Sequence, residues 1–558
     1  MSSIRLLYIK REIHMILERI EILNFRGLKR LSLDLNEITV LIGENAWGKS
    51  SLLDAITVAL SPEFLPYKFS IKDFHIDLFS GLEQATHLQI VLQWREQKRH
   101  KAHSAKYKPF SSYWCHSEDG FQRLFYCISA DRTAKKVTSE RVFLDKTGAI
   151  IHPVPADEII ENFIDIHPVI RLQDARRAHN QKQQVKHNNS RQIHAINNTV
   201  NRLQTQPGLV NKGELTHSLN TIGSLISHHF IFKQGFSSRS LISPRISTTE
   251  EVIDSINQLQ HLITHSGTRQ SGILLLSLLN NYIQSRGDYQ LKPYARPLWI
   301  FEEPESRLHP TLLNQIWELL QKIPMQKVLT TNSSDLLSCT PLTAIRRLVR
   351  RANYTHVYYI QKHELSHDEF RRVGFHIRFH RPITFFARSW LLVEGETEIW
   401  LFTEFARLLG YNLAAEGIYL VEFAQSGLKP LIKMANALAI EWYVMTDGDN
   451  AGNKYIATAR NFVENNATQQ HITKLPALDI EHYLYEHGYE PVFRRLAGVS
   501  DSPNIKENKV IHKAINRHAK PDIALAMARF CETRGPSFIP PLFREMIKRL
   551  VITARGSI

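Results

Sequence analysis

Gly43-Glu-Asn-Ala-Trp-Gly-Lys-Ser-Ser51 follows an apolar run, residues 37–42 (EITVLI), and precedes a second apolar run that begins at Leu52. The three segments predict a buried strand, a glycine-rich loop and a helix, in that order. Glycines at this spacing let the backbone turn so that amides at the helix N-terminus surround a phosphate group. Lys49 can then reach the outer phosphates, and Ser50 can bind Mg²⁺.

A chance Gly-Lys-Ser turn is the alternative, but it would require neither a strand before it nor a helix after it. We therefore predict a nucleotide-binding loop. The residues that we assign to nucleotide binding in this loop are Asn45, Gly48, Lys49, Ser50 and Ser51.

A second apolar run, residues 297–301 (PLWIF), ends in the acidic sequence Glu302-Glu303-Pro304-Glu305. A carboxylate at the tip of such a strand can hold Mg²⁺, and the next carboxylate can polarise an attacking water. We assign Glu302 to nucleotide and metal binding and Glu303 to the catalytic base. At the acidic end of such a strand, Asp is the usual first carboxylate, where this chain has Glu302. Taken alone, an acidic strand end is more often a solvated turn or the start of a helix; the phosphate loop favours the catalytic interpretation.

Two further segments carry polar residues next to apolar runs. Residues 327–335 (KVLTTNSSD) predict a strand whose tip, Asn332 or Ser333, can contact a γ-phosphate, and Asn332 is the residue that we assign. Residues 264–270 (THSGTRQ) precede an apolar helix. A plain helix cap by Ser266 or Thr268 explains this second segment as well as a nucleotide contact does.

Two acidic clusters follow apolar runs nearer the C-terminus. Glu394 ends the run Trp390-Leu-Leu-Val, and Glu398 lies four residues later, on the same face if a helix has begun. Residues 441–446 (EWYVMT) predict another strand, which is followed by Asp447-Gly-Asp449. Alternation along an extended backbone places both aspartates on one side. Carboxylates that converge in this way are an arrangement that a divalent cation site requires.

Two other interpretations of these carboxylates compete with a site of this kind. An EF-hand needs Asp or Asn at the fifth position and Glu at the twelfth, where this chain has Ala451 and Thr458, so it is rejected. Each cluster alone would more often be an acidic surface turn. A second metal ion would need additional carboxylates, for which Glu398, Asp479 and Glu481 are the candidates.

The composition favours an anionic partner. The 558 residues contain 69 Lys and Arg against 54 Asp and Glu, a net charge of +15. Such a charge attracts nucleic acid, although it fits a basic protein without such a partner equally well. The four cysteines form no CxxC pair, which argues against a zinc module. No apolar run reaches the about 18 to 20 residues of a membrane span, so we expect a cytoplasmic protein without a membrane partner.

The order of the N-terminal elements resembles the ABC ATPases of the RecF, SMC and OLD (overcoming lysogenization defect) group. The motifs that carry this resemblance are Phe25-Arg26-Gly27, GENAWGKSS at 43–51, SGT at 266–268 and IFEEPESRLHP at 300–310. The resemblance implies ATP-dependent dimerisation. In such dimers the amides of Ser266 and Gly267 would close on the ATP of a partner subunit.

VEGETE at 393–398, followed about fifty residues later by DGD at 447–449, resembles the Toprim fold of topoisomerases, bacterial primases and OLD nucleases. The resemblance implies that Glu394, Asp447 and Asp449 bind Mg²⁺ and act on phosphodiesters. Asp479-x-Glu481 resembles an element of OLD relatives. Lys520 lies where those relatives place a lysine that stabilises transition-state charge, but a solvated surface lysine is an equally good interpretation.

These patterns predict an α/β fold: an ABC-type P-loop ATPase with a helical insert, followed by a C-terminal Toprim domain of Rossmann-like α/β architecture. The expected function is an ATP-hydrolysing, Mg²⁺-dependent DNA endonuclease or nickase in phage defence or DNA repair, with Mn²⁺ as a substitute ion. We expect a homodimer or higher homo-oligomer that binds DNA, with a defence-system protein or nucleic acid as a further partner. The alternative is a non-nucleolytic DNA clamp or repair-assembly protein of the RecF and SMC type.

The predicted boundaries divide the chain into five parts. They are an N-terminal extension at 1–14, ATPase parts at 15–165 and 241–385, a basic insert at 166–240, and a Toprim domain at 386–558. We expect the insert to be helical or flexible and to serve dimerisation or DNA contact.

Overall fold

The computed structural model describes residues 15–62, 67–77, 83–99, 104–133, 136–172, 295–305, 314, 317, 321, 326–352, 354–361, 363–463, 471–499 and 505–556. The chain forms two compact units. The first contains the described residues up to Thr340 together with Ala344–Val357, and the second contains Pro341–Thr343 and the residues from Tyr358 onward. The predicted N-terminal extension, the segment with Ser266 and Gly267, and residues 173–240 of the predicted insert lie outside the described residues. The predicted domain boundaries stay predictions.

The first unit is built on a mixed sheet. Its strands are β1 (Met15–Phe25), β2 (Leu28–Asp34), β3 (Ile38–Ile42), β4 (Ile76–Asp77), β5 (Glu83–Gln84), β6 (His87–Glu96), β7 (Cys115–His116), β8 (Gln122–Arg132), β9 (Val137–Leu144), β10 (Val169–Leu172), β11 (Leu298–Glu302), β12 (Lys327–Thr330), β13 (Ile345–Arg350) and β14 (Thr355–Tyr358). The sheet order is β10-β11-β12-β3-β13-β14-β2-β1-β6-β8-β7, with β9 paired to β8, and β4 and β5 pair separately.

The two halves of this sheet differ in direction and in burial. Strands β10, β11, β12, β3 and β13 are parallel, and β12 is buried at every residue, as parallel strands covered on both faces are. Strands β1, β6 and β8 are antiparallel, and β6 alternates between buried and half-buried residues, because one of its faces lies on the core. In the part of this unit that the structure describes, helices with described bounds are α1 (Lys49–Leu60), α2 (Asp157–Ile166) and α3 (Ser334–Cys339).

The second unit contains a parallel sheet in the order β16-β15-β17-β18. Its strands are β15 (Ser389–Val393), β16 (Ile418–Glu422), β17 (Glu441–Thr446) and β18 (Ile472–Lys474). The chain leaves β15 for β16 on one side and returns to β17 on the other. The strand order therefore reverses between β15 and β17, and in open α/β sheets ligands bind at the carboxyl ends of the strands at this switch point.

The helices of the second unit cover this sheet. They are α4 (His367–Val373), α5 (Glu396–Leu408), α6 (Leu428–Ala437), α7 (Asn450–Arg460), α8 (Ile480–Leu484), α9 (Glu490–Ala497), α10 (Glu507–Arg517), α11 (Lys520–Arg534) and α12 (Pro541–Gly556). Apolar residues of β15, β17, α5 and the helices from α8 to α12 form a core that includes Phe405, Tyr489 and Phe543.

The predicted α/β class is confirmed in both units, each of which contains parallel strands connected through helices. Among the described residues, every helix is too short or too polar to cross a membrane.

Candidate functional site

The predicted phosphate loop joins β3 to α1 through two glycines that the backbone requires. Gly43 has a φ of +141°, and a Cβ there would lie 2.7 Å from the carbonyl oxygen of Leu348. Gly48, directly before α1, has a φ of +94°, and its Cβ would lie 2.3 Å from Leu28 Cδ2. Side chains are excluded at both positions by conformation and by space. The loop therefore turns into the helix as the sequence predicts.

Lys49 is buried in this loop, with only 4% of its surface exposed. Its Nζ donates hydrogen bonds to the carbonyl oxygen of Gly43 at 2.5 Å and to Asn332 Oδ1 at 2.8 Å. Burial lowers the pKa of the Lys49 ammonium, and the charges of Glu303 and Glu305 oppose that shift. The ammonium thus lies among hydrogen-bond acceptors. A bound phosphate would accept hydrogen bonds from it in place of these groups or in addition to them.

Asn332 connects the phosphate loop with the acidic end of β11. Its Nδ2 donates to Glu303 Oε1 at 2.9 Å and lies 3.5 Å from Asn45 Oδ1. Its backbone N–H donates to Glu305 Oε1 at 2.7 Å. This contact follows from the sheet order, because β12 lies between β11 and β3 and ends next to both. The structure therefore brings together Asn45, Lys49, Glu303 and Asn332.

Glu302 is the last residue of β11 and is buried. Its Oε2 accepts a hydrogen bond from Arg171 Nη2 at 3.0 Å, and Arg171 Nη1 contacts Asp54 Oδ1 at 2.5 Å. Asp54 also pairs with Arg26 of the Phe-Arg-Gly motif. This arrangement of alternating charges links the predicted metal ligand of the ATPase to α1 and to β10.

The remaining residues of the predicted loop lie at the start of α1. Ser50 is half-buried there, and Ser51 Oγ accepts a hydrogen bond from the Gly27 N–H at 3.2 Å. Sequence reasoning missed Arg171 and Glu305 as site residues. Burial raises the pKa of Glu305, and its contact with Asn332 places it beside Lys49 and Glu303. The available sequence signal for Glu305 was its position in the acidic run Glu302-Glu303-Pro304-Glu305. No sequence signal pointed to Arg171.

The second predicted site lies at the switch point of the parallel sheet. Adjacent strands β15 and β17 pair in register, with Leu392 opposite Val444, so their carboxyl ends meet at one edge. Glu394 directly follows β15, and its Oε1 accepts a hydrogen bond from the Asp447 N–H at 3.1 Å. Gly448 lets the loop after β17 pass close to Ala477, because a Cβ there would lie 2.0 Å from the carbonyl oxygen of Ala477.

Two of the predicted carboxylates also cap the N-termini of helices. Asp449 Oδ1 accepts a hydrogen bond from the Gly452 N–H at 2.6 Å and caps α7. Asp479 Oδ1 accepts one from the His482 N–H at 2.8 Å and caps α8. N-caps of this kind satisfy amides that have no partner inside the helix. The capping fixes the direction of both carboxylates.

Burial and like charge dominate the electrostatics of this edge. Burial, followed by the charges of Glu394 and Glu398, raises the pKa of Asp447 to about 8. Burial raises the pKa of Glu398 to about 7, and the charge of Glu481 adds to the shift. Burial followed by the charge of Asp479 raises the pKa of Glu481. These buried carboxylates raise each other's pKa values, so negative charge is in excess at this edge. A divalent cation would supply positive charge here.

Lys520 is the predicted cation of this edge. It is the first residue of α11. Its charge opposes the upward pKa shifts of Glu394, Glu398 and Glu481. The structure thus brings together the predicted residues Glu394, Glu398, Asp447, Asp449, Asp479, Glu481 and Lys520.

The residues at this edge fit a hard divalent cation. Asp447 Oδ1 is a buried oxygen that accepts no hydrogen bond, and buried polar atoms ordinarily have a partner. Carboxylate oxygens are the ligands that Mg²⁺ prefers in proteins. Within the described ranges, no three acidic, histidine or cysteine side chains converge closely enough to enclose an ion. An ion bound here would keep several of its water ligands, as Mg²⁺ usually does.

Comparison with known proteins gives related sequences and folds. Residues 15–384 match the family model described as "Protein of unknown function (DUF2813)". Residues 385–449 match "Overcoming lysogenization defect protein-like, TOPRIM domain". The Uncharacterized protein YbjD of Escherichia coli (strain K12) is 40% identical over 555 residues, which cover 97% of this chain and 100% of that protein.

Two solved structures are among those to which the chain is similar. The C-terminal region of the Xanthomonas campestris pv. campestris OLD protein is 17% identical, with a TM-score of 0.27 over 31% of this chain and 98% of that one. The SMC head domain from Thermotoga maritima is 12% identical, with a TM-score of 0.29 over 62% of this chain and 98% of that one. The predicted resemblance to the OLD group is confirmed by the match of the Toprim region. The chain belongs to the DUF2813 family, and an OLD-like Toprim domain follows the region that defines this family.

Proposed function

We propose that this protein is an ATP-binding and ATP-hydrolysing, metal-dependent DNA endonuclease or nickase. The observation that carries the proposal is the buried, unpartnered Oδ1 of Asp447 among further carboxylates at the switch point of the second sheet. Such a group is stable in its charged form only beside a cation. A divalent ion at this edge supplies the charge that activates water and stabilises the departing oxygen of a phosphodiester.

The side chains at this edge have distinct roles in the proposal. Glu394, Asp447 and Asp449 hold Mg²⁺ or Mn²⁺, and their directions are fixed by the Glu394–Asp447 hydrogen bond and by the cap at α7. Glu398, Asp479 and Glu481 are available to a second ion. Lys520, which carries the positive charge of the cluster, stabilises the charge that develops on the phosphate.

The first unit binds and hydrolyses ATP in the same proposal. Lys49 and Asn332 contact the outer phosphates, Ser50 and Glu302 hold Mg²⁺, and Glu303 polarises the attacking water. The observation that supports these roles is the contact of Asn332 with both Lys49 and Glu303. The signature-like residues Ser266 and Gly267 would complete the site in a homodimer, and DNA binding, a cytoplasmic location and a role in phage defence or DNA repair belong to the proposal as well.

Plasmid cleavage tests the proposal. Supercoiled DNA is incubated with the full-length protein and Mg²⁺ or Mn²⁺, with and without ATP, beside Asp447→Ala and Lys49→Ala. Asp368→Ala, which removes a carboxylate whose side chain is 85% exposed, is the matched control. We expect the wild type and Asp368→Ala to nick or cut the plasmid, Asp447→Ala to lose at least about a hundredfold in rate, and Lys49→Ala to lose ATP hydrolysis.

Three outcomes would contradict the proposal or redirect it. If the wild type cuts DNA under none of these conditions, the proposed nuclease function is wrong. If Asp447→Ala cuts normally, the assignment of the metal site to Asp447 is wrong. ATP hydrolysis without any cleavage would favour the alternative, a DNA clamp or repair-assembly protein.

A further inference from the structure

Two phenylalanine rings lie exposed on the second unit, just before its parallel sheet. Phe375 is 56% exposed and Phe379 is 61% exposed. Both belong to a wide helical turn, Gly374–Phe379, that continues α4 with π-helical geometry. Their ring planes are 7° from parallel, and their centroids lie 6.3 Å apart. Turns of this kind are frequent at functional sites, and paired exposed rings mark a binding surface.

The residues between and beside these rings are basic. The segment from Arg371 to Arg381 contains four arginines and two histidines and no acidic residue. Of these, Arg371 and Arg372 are exposed. Just before the segment, the Glu369 carboxylate is paired with Lys433 Nζ at 3.0 Å. The segment that carries the rings is therefore positive and suits a polyanion, and the exposed carboxylate of Asp368 lies just before it.

A cavity of about 350 Å³ lies beside Phe375. One wall consists of Phe375, His376, His380 and Arg381, and the opposite wall is formed by the end of β16 and the loop after it. That second wall presents Glu422 and Gln425, and Arg381 lies 3.5 Å from Glu422 Oε1. The cavity thus combines an aromatic face with several hydrogen-bonding groups, which is the usual make-up of a small-molecule site.

The position of the cavity relates it to the metal-binding edge. Strand β16 pairs with β15, and Glu422 is opposite Val393, the residue before Glu394. The Phe423 N–H donates to the carbonyl oxygen of Val393 at 2.9 Å. Neighbouring strands lie about 4.8 Å apart, so the cavity wall begins one strand away from the proposed metal ligands. A polymer bound at one place would extend into the other.

We propose that this cavity binds an unpaired nucleobase of the DNA strand that is cut at the neighbouring carboxylates. The inference rests on the proposed function, because it takes the strand to be the substrate, and it names the substrate class as DNA with at least one unpaired nucleotide next to the cut. A base in a regular duplex is stacked and cannot enter a cavity without leaving the helix.

The chemistry of the cavity matches a nucleobase better than an apolar side chain. The face of Phe375 can stack on any base, and Glu422, Gln425 and Arg381 offer acceptors and donors to its edge. Exposed Arg371 and Arg372 can contact the flanking phosphates. An apolar peptide would offer no hydrogen-bonding partner to Gln425 and would exclude water from the Arg381–Glu422 pair, which costs free energy.

Binding of single-stranded DNA tests the aromatic contact. A fluorescein-labelled oligonucleotide of mixed sequence is titrated with full-length protein carrying Asp447→Ala, and anisotropy gives the Kd. Phe375→Ala is expected to weaken binding about tenfold to hundredfold, and Phe375→Trp to retain it, because stacking on a base needs a ring face. Phe375→Leu, which keeps an apolar side chain without a ring, should bind as weakly as Phe375→Ala. Ile552→Ala, at a position that is 70% exposed and is not among the residues that line the cavity, is the control and should bind normally.

A series of oligonucleotides with one abasic position tests whether a single base enters the cavity. We expect the protein with Phe375 to lose affinity when one particular position lacks its base, and Phe375→Ala to be insensitive to that position. Equal binding by all Phe375 variants, or full binding by Phe375→Leu, would overturn the inference. So would abasic effects that are the same with and without the ring.

The failures of the two proposals are distinguishable. If the wild type cuts plasmid DNA and the Phe375 variants bind and cut normally, the nucleobase site is wrong and the nuclease stands. If binding depends on Phe375 and on one base while no DNA is cut in any condition, base binding stands and the proposed nuclease function fails.

Discussion

Replacing Asp447 by Asn is expected to raise the thermal stability of the metal-free protein at pH 8. Burial and neighbouring carboxylates raise the pKa of Asp447 to about 8, whereas an unfolded aspartate has a pKa of about 3.9. Between these pH values the folded protein keeps a proton that the unfolded chain has released, so its stability falls as the pH rises. The amide of the Asp447→Asn variant carries no charge at any of these pH values. Because solvent screens a partly exposed carboxylate, we expect a gain of about 2–4 °C in Tm.

Thermal unfolding in a chelator, followed from acidic to basic pH, measures this effect. Asp449→Asn is the matched control, since an asparagine caps α7 as well as the aspartate does and should leave the Tm nearly unchanged. Adding Mg²⁺ at pH 8 should stabilise the wild type and not Asp447→Asn. A lower Tm for Asp447→Asn at pH 8 without metal would contradict the electrostatic account of this edge.

Arg171→Met is expected to destabilise the first unit by about 3–5 kcal/mol. The Arg171 side chain is 7% exposed and pairs with the buried Glu302 at 3.0 Å and with Asp54 at 2.5 Å. The methionine side chain keeps much of the packing. Without the guanidinium, however, the carboxylates of Glu302 and Asp54 lose the positive charge that both of them contact. Chemical denaturation gives the free energy of unfolding.

The double variant Arg171→Met/Glu302→Gln separates charge from packing. It should regain much of the lost stability, because the buried charge is removed together with its partner. Arg407→Met is the control, since Arg407 is 57% exposed where it pairs with Glu404, and surface pairs contribute about 0–1 kcal/mol. Equal instability of the single and double variants would show that Arg171 acts through packing alone.

At the level of elements, the loop after β17 depends on the absence of a side chain at residue 448. In Gly448→Ala the new Cβ would lie 2.0 Å from the carbonyl oxygen of Ala477, a backbone atom that cannot rotate away. The loop must then shift, and it carries both Asp447 and Asp449. We expect Mn²⁺ affinity, measured by calorimetry, to fall at least about tenfold.

Gly374→Ala is the matched control for this substitution. Its φ is −57° and nothing lies within 4 Å of a Cβ there, so the alanine fits the helical turn. Mn²⁺ affinity should be unchanged and the fold slightly more stable. If Gly448→Ala binds Mn²⁺ as the wild type does, the loop after β17 does not position the metal ligands.

Short apolar runs with a polar end were predictable from the sequence. Residues 37–42, 297–301 and 441–446 were predicted as strands, and they correspond to β3 (Ile38–Ile42), β11 (Leu298–Glu302) and β17 (Glu441–Thr446). Each is mostly buried and is followed by glycine or charged residues, so local composition marks both its existence and its end. Glu394 and Asp447 were predictable for the same reason, because each directly follows such a strand.

Contacts that depend on strand order were not predictable. Arg171 lies 131 residues before Glu302 in the chain, and the two meet only because β10 pairs with β11. Glu305 joins the phosphate loop because β12 lies between β11 and β3. Residues 378–382 fall in a wide helical turn and the start of a short helix, where Phe379 is exposed. Helical spacing gives no sign of which apolar side chain stays exposed.

For the whole molecule, the parallel strands of the two sheets place polar side chains in the same way. In both units the polar side chains follow the carboxyl ends of neighbouring parallel strands, after β3, β11 and β12 in the first and after β15 and β17 in the second. Each set of polar side chains is positioned by its own sheet, and the two sets differ in charge. Lys49 brings positive charge to the first, while carboxylates predominate in the second. The carboxylate edge by itself repels DNA, so the attraction must come from the rest of the surface.

In the proposed complex with DNA, the net charge of +15 would supply that attraction, and we expect a salt dependence from it. DNA affinity should fall about 10³-fold or more between 50 and 200 mM salt, because basic side chains release counterions from the phosphates. Phe375→Ala should weaken binding equally at every salt concentration, since a stacked ring releases no counterion. Arg371→Ala/Arg372→Ala should instead lower the slope of log K against log salt by about 0.7 for each phosphate that the removed arginines neutralise. Anisotropy titrations over a range of salt concentrations measure these slopes, and a wild-type slope near zero would refute electrostatic attraction as the source of DNA binding.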